Sequence, residues 1–299
     1  MRISTPAKIN LTLEILSRRP DGYHDLASWF IPVALYDVIT IESAEQFEFV
    51  SDCADLAADE TNLVVRALNL FRAATGLTRQ YRIEVEKRIP IGAGLGGGSS
   101  DAAATLLLLN ALQSAGQVAQ GRVGEGGLPS ERLRELAAQL GSDVVFFLDR
   151  SAAWCTGRGE KIEPRSFPRD QFVCLFKPGF AVSTVAAYST FAALPENWKK
   201  GEPIETPWGT LRNDLECAVF PKYPLLAEVK SWLLQQPETE LALLAGSGST
   251  TFAVCRTEAS AIEVRDRFIA EFGETFWTFV GQLNPEPLPI EDSVIPAEA

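Results

Sequence analysis

Apolar and polar residues alternate through KINLTLEIL (8–16), the period of a strand whose two faces meet different surroundings. The pattern breaks at RRPDGYHD and resumes in LASWFIPVALYDVITIES, so the chain opens β-rich. TNLVVRALNLFRAATG carries helical apolar spacing with a glycine stop, and YRIEVEKRIP then alternates as a half-solvated strand would. After a glycine stretch comes a very apolar helix to about Leu112; a loose SAGQVAQGRVGEGGLPS separates it from a second helix, ERLRELAAQLG, ahead of SDVVFFL. DRSAAWCTGRGEKIEPRSFP reads as strand, turn and linker, and another strand-and-helix set runs from QFVCLFKPG to TFAVCRT. Helices and strands come in runs, which predicts an α+β fold in two domains rather than a doubly wound sheet. The expected limits are 1–155 for the N-terminal domain, 156–285 for a C-terminal α+β domain and 286–299 for a Pro-rich, acidic, fraying tail.

Composition narrows what such a fold can do. The 299 residues are 46% hydrophobic and 22% charged, enough for one large core or two ordinary ones in a soluble globular protein. A net charge of -12 leaves no basic stripe for nucleic acid, so an anionic small molecule has to be met locally. The longest apolar segment, near 102–112, is too short to span a bilayer, and MRISTPAKINLTLEIL lacks the apolar run of a signal peptide. Five scattered cysteines without C-x-x-C spacing predict reduced thiols, hence the cytoplasm or an equivalent plastid stroma.

Five glycines fall within PIGAGLGGGSS, at Gly92, Gly94, Gly96, Gly97 and Gly98. Inside a helix or strand each would cost backbone entropy. A glycine turn entering a helix instead presents bare N–H groups beside the positive end of the helix dipole, which makes a phosphate cradle. Ser99 and Ser100 stand at the helix start, where a hydroxyl can cap the helix or ligate a phosphate-bound Mg²⁺. The bland alternative is a flexible turn with a serine cap. Gly92, Gly94 and Gly97 satisfy G-x-G-x-x-G, but the preceding strand is charged and alternating rather than the buried run of a dinucleotide fold. No Gly-Lys-Ser/Thr follows for a Walker A loop, and no HRD or DFG element for a protein kinase.

Pro90, Ile91, Gly92, Ala93, Gly94, Leu95 and Gly96, with Ser99-Ser100 and Ala102-Ala103, resemble the ATP-binding motif of the galactokinase, homoserine kinase, mevalonate kinase and phosphomevalonate kinase superfamily. Gly97-Gly98, PAKINL (6–11), DGYH (21–24), GSDV (141–144) and AGSGS (245–249) resemble the branch acting on a cytidine diphosphate conjugate of methylerythritol, in non-mevalonate isoprenoid biosynthesis. The resemblance implies transfer of the γ-phosphoryl group of ATP, with Mg²⁺, to the substrate's 2-hydroxyl. It implies Lys8 and Asp143 as the catalytic pair, and Asn62 and Lys87, with residues 90–100, around ATP. It further implies that Tyr23 stacks on the cytosine, that His24 bonds its edge, and that Asn10, Gly246 and Ser247 touch substrate. Tyr188 is the candidate opposite stacking wall, and Ser100 the candidate Mg²⁺ ligand. Each residue alone has an ordinary reading: a solvated strand lysine or helix-end aspartate, a helix cap at Asn62, a structural histidine, a core aromatic, a turn at GSGST.

This chain departs from the family pattern at Asp101, often asparagine, at Val145, often proline, and in a long stretch from Ser114 to Pro129. An idle nucleotide-binding module would lack the lysine or the carboxylate, and both are present. A homoserine or mevalonate kinase would not need the DGYH turn.

Overall fold

The computed structural model describes residues 1–119 and 127–292. Residues 120–126 of the long stretch and 293–299 of the tail lie outside the described residues. Two long strands, β1 (Arg2–Arg18) and β2 (His24–Ala44), form an antiparallel hairpin across the DGYH turn. β2 is long enough to pair along one edge with β1 and along the other with two further strands. On the edge away from β1, β4 (Gln80–Glu86), itself paired with β3 (Glu48–Ser51), takes the C-terminal end of β2, and β5 (Ala153–Gly157), itself paired with β6 (Lys161–Pro164), takes the N-terminal end, giving the order β3-β4-β2-β5-β6 with β1 also on β2. The segment read as turn and linker is thus a hairpin of this first sheet. The sheet continues to Pro164, and the expected limit at residue 155 falls inside β5.

Four helices cover the first sheet. α1 (Leu63–Thr75) starts at the Asn62 cap and stops at Gly76, in the left-handed region at φ 70. α2 (Gly97–Ala119) outruns its expected end near Leu112: no proline intervenes, and Ser114 Oγ donates back to the carbonyl of Asn110 at 2.9 Å, a bond the helix accommodates. α3 (Ser130–Leu140) and α4 (Ser142–Asp149) follow, and the apolar run after Asp143 is helical, with Val144 to Phe147 buried. Ala102, Leu106 and Leu109 of α2 share a core with Ile39, Ile83 and Phe146.

The second sheet is antiparallel in the order β10-β11-β7-β12. Its chain order runs β7 (Phe172–Lys177), α5 (Thr184–Ala193), the small hairpin β8 (Ile204–Thr206) and β9 (Gly209–Leu211), α6 (Glu216–Val219), α7 (Pro224–Leu234), β10 (Leu241–Leu244), β11 (Thr251–Cys255), α8 (Glu258–Phe272) and β12 (Trp277–Gln282). α7 and α8 cover one face through Val229, Leu233, Val264 and Phe268. The other face, with Val173, Leu175, Leu243 and Phe252, packs on Ile9, Leu11 and Ile31 of the first hairpin. That contact explains β1. Ile9 and Leu11 are core, while Lys8 and Asn10 on the even face are buried as well, because that face meets a cavity rather than open water; Thr12, past a register shift, is buried by donating to the Arg212 carbonyl at 2.9 Å.

The chain then returns to the first sheet: Asn284 N donates to the Pro32 carbonyl at 2.8 Å, and Arg2 and Glu291 exchange backbone bonds of 2.8 and 2.9 Å. The part of the tail up to residue 292 is therefore held where its proline content predicts fraying. Among the described residues no helix is long and apolar enough to cross a membrane.

Candidate active site

The glycine loop joins β4 to α2. Gly94 and Gly96 adopt φ of 79 and 75, which side chains disfavour. A Cβ on Gly94 would sit 2.1 Å from the Ala245 carbonyl oxygen, and one on Gly96 would sit 2.8 Å from Phe147 Cζ and 3.1 Å from Lys8 Cγ. The bare backbone is thus required first by protein packed against it. The loop is pinned from both sheets, with Lys8 N donating to the Leu95 carbonyl at 2.9 Å and Thr250 N to that of Ala93 at 3.2 Å. α2 begins at Gly97, so the first N–H groups of the helix have no intrahelical acceptor and point to the loop's open side.

Lys8 projects from the even face of β1 beneath this loop. Its buried ammonium donates to Asn10 Oδ1 at 2.7 Å, sits 3.4 Å from Asp143 Oδ2 and lies 4.7 Å from the centroid of the Phe30 ring. Asn10 is fixed in turn, its amide donating to Ser28 Oγ at 2.9 Å and Ser28 Oγ to the Thr12 carbonyl at 2.5 Å. Asp143 stands in the first turn of α4, where the helix dipole favours a carboxylate.

One cavity of about 780 Å³ joins these groups, within the range of ligand-binding clefts. At one end Leu56, Leu63, Ile89 and Lys87 line it beside Gly97 and Gly98. Residues 90 to 99 line it too; Gly94, the Lys8–Asp143 pair, Asn10 and Gly246 adjoin one another in its middle, and Tyr23, His24, Tyr188 and Ser247 line its far end. Two expected residues are absent from this lining. Ser100 is fully buried, its hydroxyl donating to the Pro6 carbonyl at 2.6 Å and lying 2.6 Å from Thr5 Oγ1; this corrects the expectation of a metal ligand, because the oxygen ties α2 to β1. Ser99, one helical position earlier, faces the cavity. Asn62 is the cap of α1, Oδ1 accepting from Val64 N at 2.9 Å and Nδ2 donating to the Ala57 carbonyl at 2.7 Å, so the ordinary reading of that residue applies.

Lys87 lines the cavity yet is held between two buried carboxylates, Asp37 and Asp101, the latter at 2.7 Å. Asp37 also accepts from the backbone N–H groups of Arg88 and Ile89 at 2.6 and 2.8 Å, anchoring the entry to the glycine loop. Burial opposes the Lys87 charge, but the two carboxylates outweigh it and its pKa rises. Burial also pushes Asp101 up to about 8, and the Asp37 charge adds to this against the pull of Lys87.

At the far end the His24 and Tyr188 rings stack at 5.4 Å and 24°. Burial, then the charges of Arg18 and Lys199, lowers the His24 pKa, so the imidazole is neutral at pH 7. Tyr23 is 56% exposed, with the Arg158 guanidinium 5.0 Å from its ring centroid. Ser247 Oγ lies 2.9 Å from Thr184 Oγ1 on α5, and a Cβ on Gly246 would be 3.3 Å from Asn10 Oδ1.

Pattern reading missed the residues that hold this end together. Asn213, fully buried, donates to the carbonyls of Leu244 and Gly246 at 2.8 and 2.7 Å. Asp214 accepts from Ile15 N at 2.8 Å, and Glu216 from Leu244 N at 2.9 Å and Lys230 Nζ at 2.6 Å. The available signal was RNDLE itself, four polar side chains set among Leu211, Leu215 and the apolar CAVF run.

Residues 62–150 match the family described as GHMP kinases N terminal domain, and residues 200–275 that described as GHMP kinases C terminal. The fold and the loop define a GHMP-class, ATP-dependent small-molecule kinase. A 4-diphosphocytidyl-2-C-methyl-D-erythritol kinase of Methylacidiphilum infernorum is 44% identical over 260 residues, covering 85% of each chain. One from Pelotomaculum thermopropionicum is 38% identical over 88% of this chain and 91% of that one. A crystal structure of 4-(cytidine 5'-diphospho)-2C-methyl-D-erythritol kinase superposes with a TM-score of 0.76 at 31% identity, over 95% of this chain and all of the other. The chain belongs to the 4-diphosphocytidyl-2-C-methyl-D-erythritol kinase family.

Proposed function

We propose that this kinase transfers the γ-phosphoryl group of ATP to the 2-hydroxyl of 4-diphosphocytidyl-2-C-methyl-D-erythritol, with Lys8 and Asp143 at the reacting centre. The observation that carries this reading is the single cavity running from the glycine loop to Tyr23, His24 and Tyr188, with the Lys8–Asp143 pair between. Phosphoryl transfer asks for positioning and charge neutralisation more than covalent chemistry. The acceptor oxygen bonds to the γ-phosphorus, ADP leaves, and the hydroxyl proton passes to Asp143. Lys8, oriented by Asn10, meets the negative charge carried by the transferring phosphoryl oxygens. Neutral His24 can both donate to and accept from the cytosine edge.

ATP occupies the glycine-loop end, its phosphates against the N–H groups at the start of α2. Mg²⁺ suits this arrangement as a companion of those phosphates, since it keeps most of its waters and takes few protein ligands. Ser99 and Asp143, both lining the cavity, would hold it, and the ion would supply charge neutralisation. We assign the reaction to the cytoplasm on the five free thiols, three of them buried.

The test is ADP formation and phosphorylated product, measured with ATP and Mg²⁺ over 4-diphosphocytidyl-2-C-methyl-D-erythritol, mevalonate and homoserine. Turnover confined to the cytidyl substrate is expected; preference for either other alcohol rejects the reading.

A further inference from the structure

We propose that Arg158, on the β5–β6 turn, is the specificity residue for the diphosphate of the acceptor substrate; this rests on the cytidyl reading above. Such a substrate places two phosphates between its base and its reacting alcohol, and in a chain of net charge -12 only a local cation can meet them. Among the described residues, four basic side chains line the cavity: Lys8, Arg18, Lys87 and Arg158. Lys8 is engaged by Asn10 and Asp143, and Lys87 is held by Asp37 and Asp101 at the nucleotide end.

Arg158 differs in position. Its turn touches both ends of the acceptor half-site. The Arg158 guanidinium lies over the Tyr23 ring, while a Cβ on the next residue, Gly159, would be 3.6 Å from Ser142 Cβ and 3.8 Å from Asp143 Oδ1. A group bridging the base wall and the catalytic carboxylate therefore passes this turn. Glu160 Oε2 accepts from Arg158 N at 2.6 Å and forms an ion pair with the guanidinium at 3.9 Å from Nε, a separation beyond a hydrogen bond, so Glu160 does not occupy the N–H donors of the fork. The planar donor fork, left partly exposed beside Tyr23, is suited to phosphate oxygens.

The experiment compares CDP with cytidine by calorimetry, with AMPPNP and Mg²⁺ saturating so that CDP cannot use the ATP end, alongside steady-state kinetics. The wild type is expected to bind CDP more tightly than cytidine. Arg158→Ala should lose about ten- to a hundredfold for CDP with cytidine unchanged. It should raise KM for the cytidyl substrate more than it lowers kcat, and leave KM for ATP unmoved. Arg158→Lys should recover part of the CDP preference. Equal loss for CDP and cytidine would mean that Arg158 only supports the Tyr23 ring, and overturns the proposal, as does a wild type that does not distinguish the two ligands. Loss of CDP preference in Arg18→Ala but not in Arg158→Ala overturns it too. Failure to phosphorylate the cytidyl substrate, with the CDP preference and its Arg158 dependence intact, would reject the function reading alone.

Discussion

Lys8 Nζ and Asp143 Oδ2 stand 3.4 Å apart with unequal exposure, the ammonium side chain 5% accessible and the carboxylate 34%. The pair is open on the carboxylate's side, where an acceptor hydroxyl can arrive, and closed behind the lysine. Asp143→Asn keeps the shape and removes the proton acceptor. Turnover should fall by at least about a hundredfold, the usual scale for a positioned acid–base group, with little change in melting temperature. Lys8→Met, which keeps the buried stem, is a better probe than Lys8→Ala and should likewise lower kcat while the protein stays folded. Near-normal kcat in either variant removes that residue from the reacting centre.

The glycine loop separates two demands that its sequence merges. A methyl on Gly94 collides with the Ala245 carbonyl, whereas one on Gly98 finds its nearest neighbour, Leu63 Cδ1, at 3.8 Å. Gly94→Ala should therefore cost at least about 2 kcal/mol of folding stability from strain and overpacking. Gly98→Ala should be neutral or stabilising by about 0.5 kcal/mol, as alanine replaces glycine in a helix. Urea denaturation checks both. Gly96→Val, beside Phe147 and Lys8, should weaken the fold as well as ATP binding; a variant with normal stability and impaired ATP affinity alone would show that the ligand, and not the packing, sets the need for glycine there.

Asp101 supplies a pH prediction. Its folded-state pKa of about 8 exceeds the value near 4 of an unfolded carboxyl. Between about pH 4 and pH 8 the unfolded chain releases a proton that the folded chain retains, so this group lowers stability progressively as pH rises through that window. Asp101→Asn cannot ionise and keeps an acceptor for Lys87. Relative to wild type it should gain stability from pH 5 to pH 8, by at least about 1 kcal/mol, and denaturation curves at the two pH values measure this. A pH-independent difference would show that Asp101 is ionised throughout.

What the sequence showed and hid follows from the range of each interaction. The half-buried alternation of YRIEVE matches β4 residue by residue, since it depends only on a two-residue period. Lys8 and Asn10 were visible as candidates only through the resemblance of PAKINL to the family motif, while the alternation of KINLTLEIL showed no more than a strand. The choice between Ser99 and Ser100 was not visible: it turns on the phase of α2 against β1, a contact between distant segments. The same is true of Asn213, whose amide holds a loop joined to it only in space. The strand and the Gly157–Gly159 turn were legible, but KIEP after them reads as linker because prolines and charges mark loops generally, and only its pairing with β5 makes it the second strand of a hairpin beside Asp143.

The base-binding end gives the sharpest contrast between two aromatic residues. Tyr23 is largely exposed and touched by Arg158, so Tyr23→Ala should leave stability nearly unchanged while weakening cytidine binding about ten- to a hundredfold, the loss of one stacking face. Tyr23→Phe should be mild, because the ring remains. Tyr188 is half-buried and stacked on His24, and its hydroxyl pKa is raised by burial and by the Asp143 charge. Tyr188→Ala should therefore lower the melting temperature and, by releasing His24, weaken binding through the base edge as well as its face. His24→Asn separates these effects, since it keeps a hydrogen-bonding side chain while removing the ring that Tyr188 stacks on. If His24→Asn reproduces the binding loss of Tyr188→Ala, the tyrosine acts by positioning the histidine. If Tyr188→Ala weakens cytidine far more than His24→Asn does, Tyr188 itself contacts the base, and the base lies between Tyr23 and Tyr188. ATP affinity, set at the other end of the cavity, should stay constant in all four variants, and a parallel loss there would show that they disturb the fold.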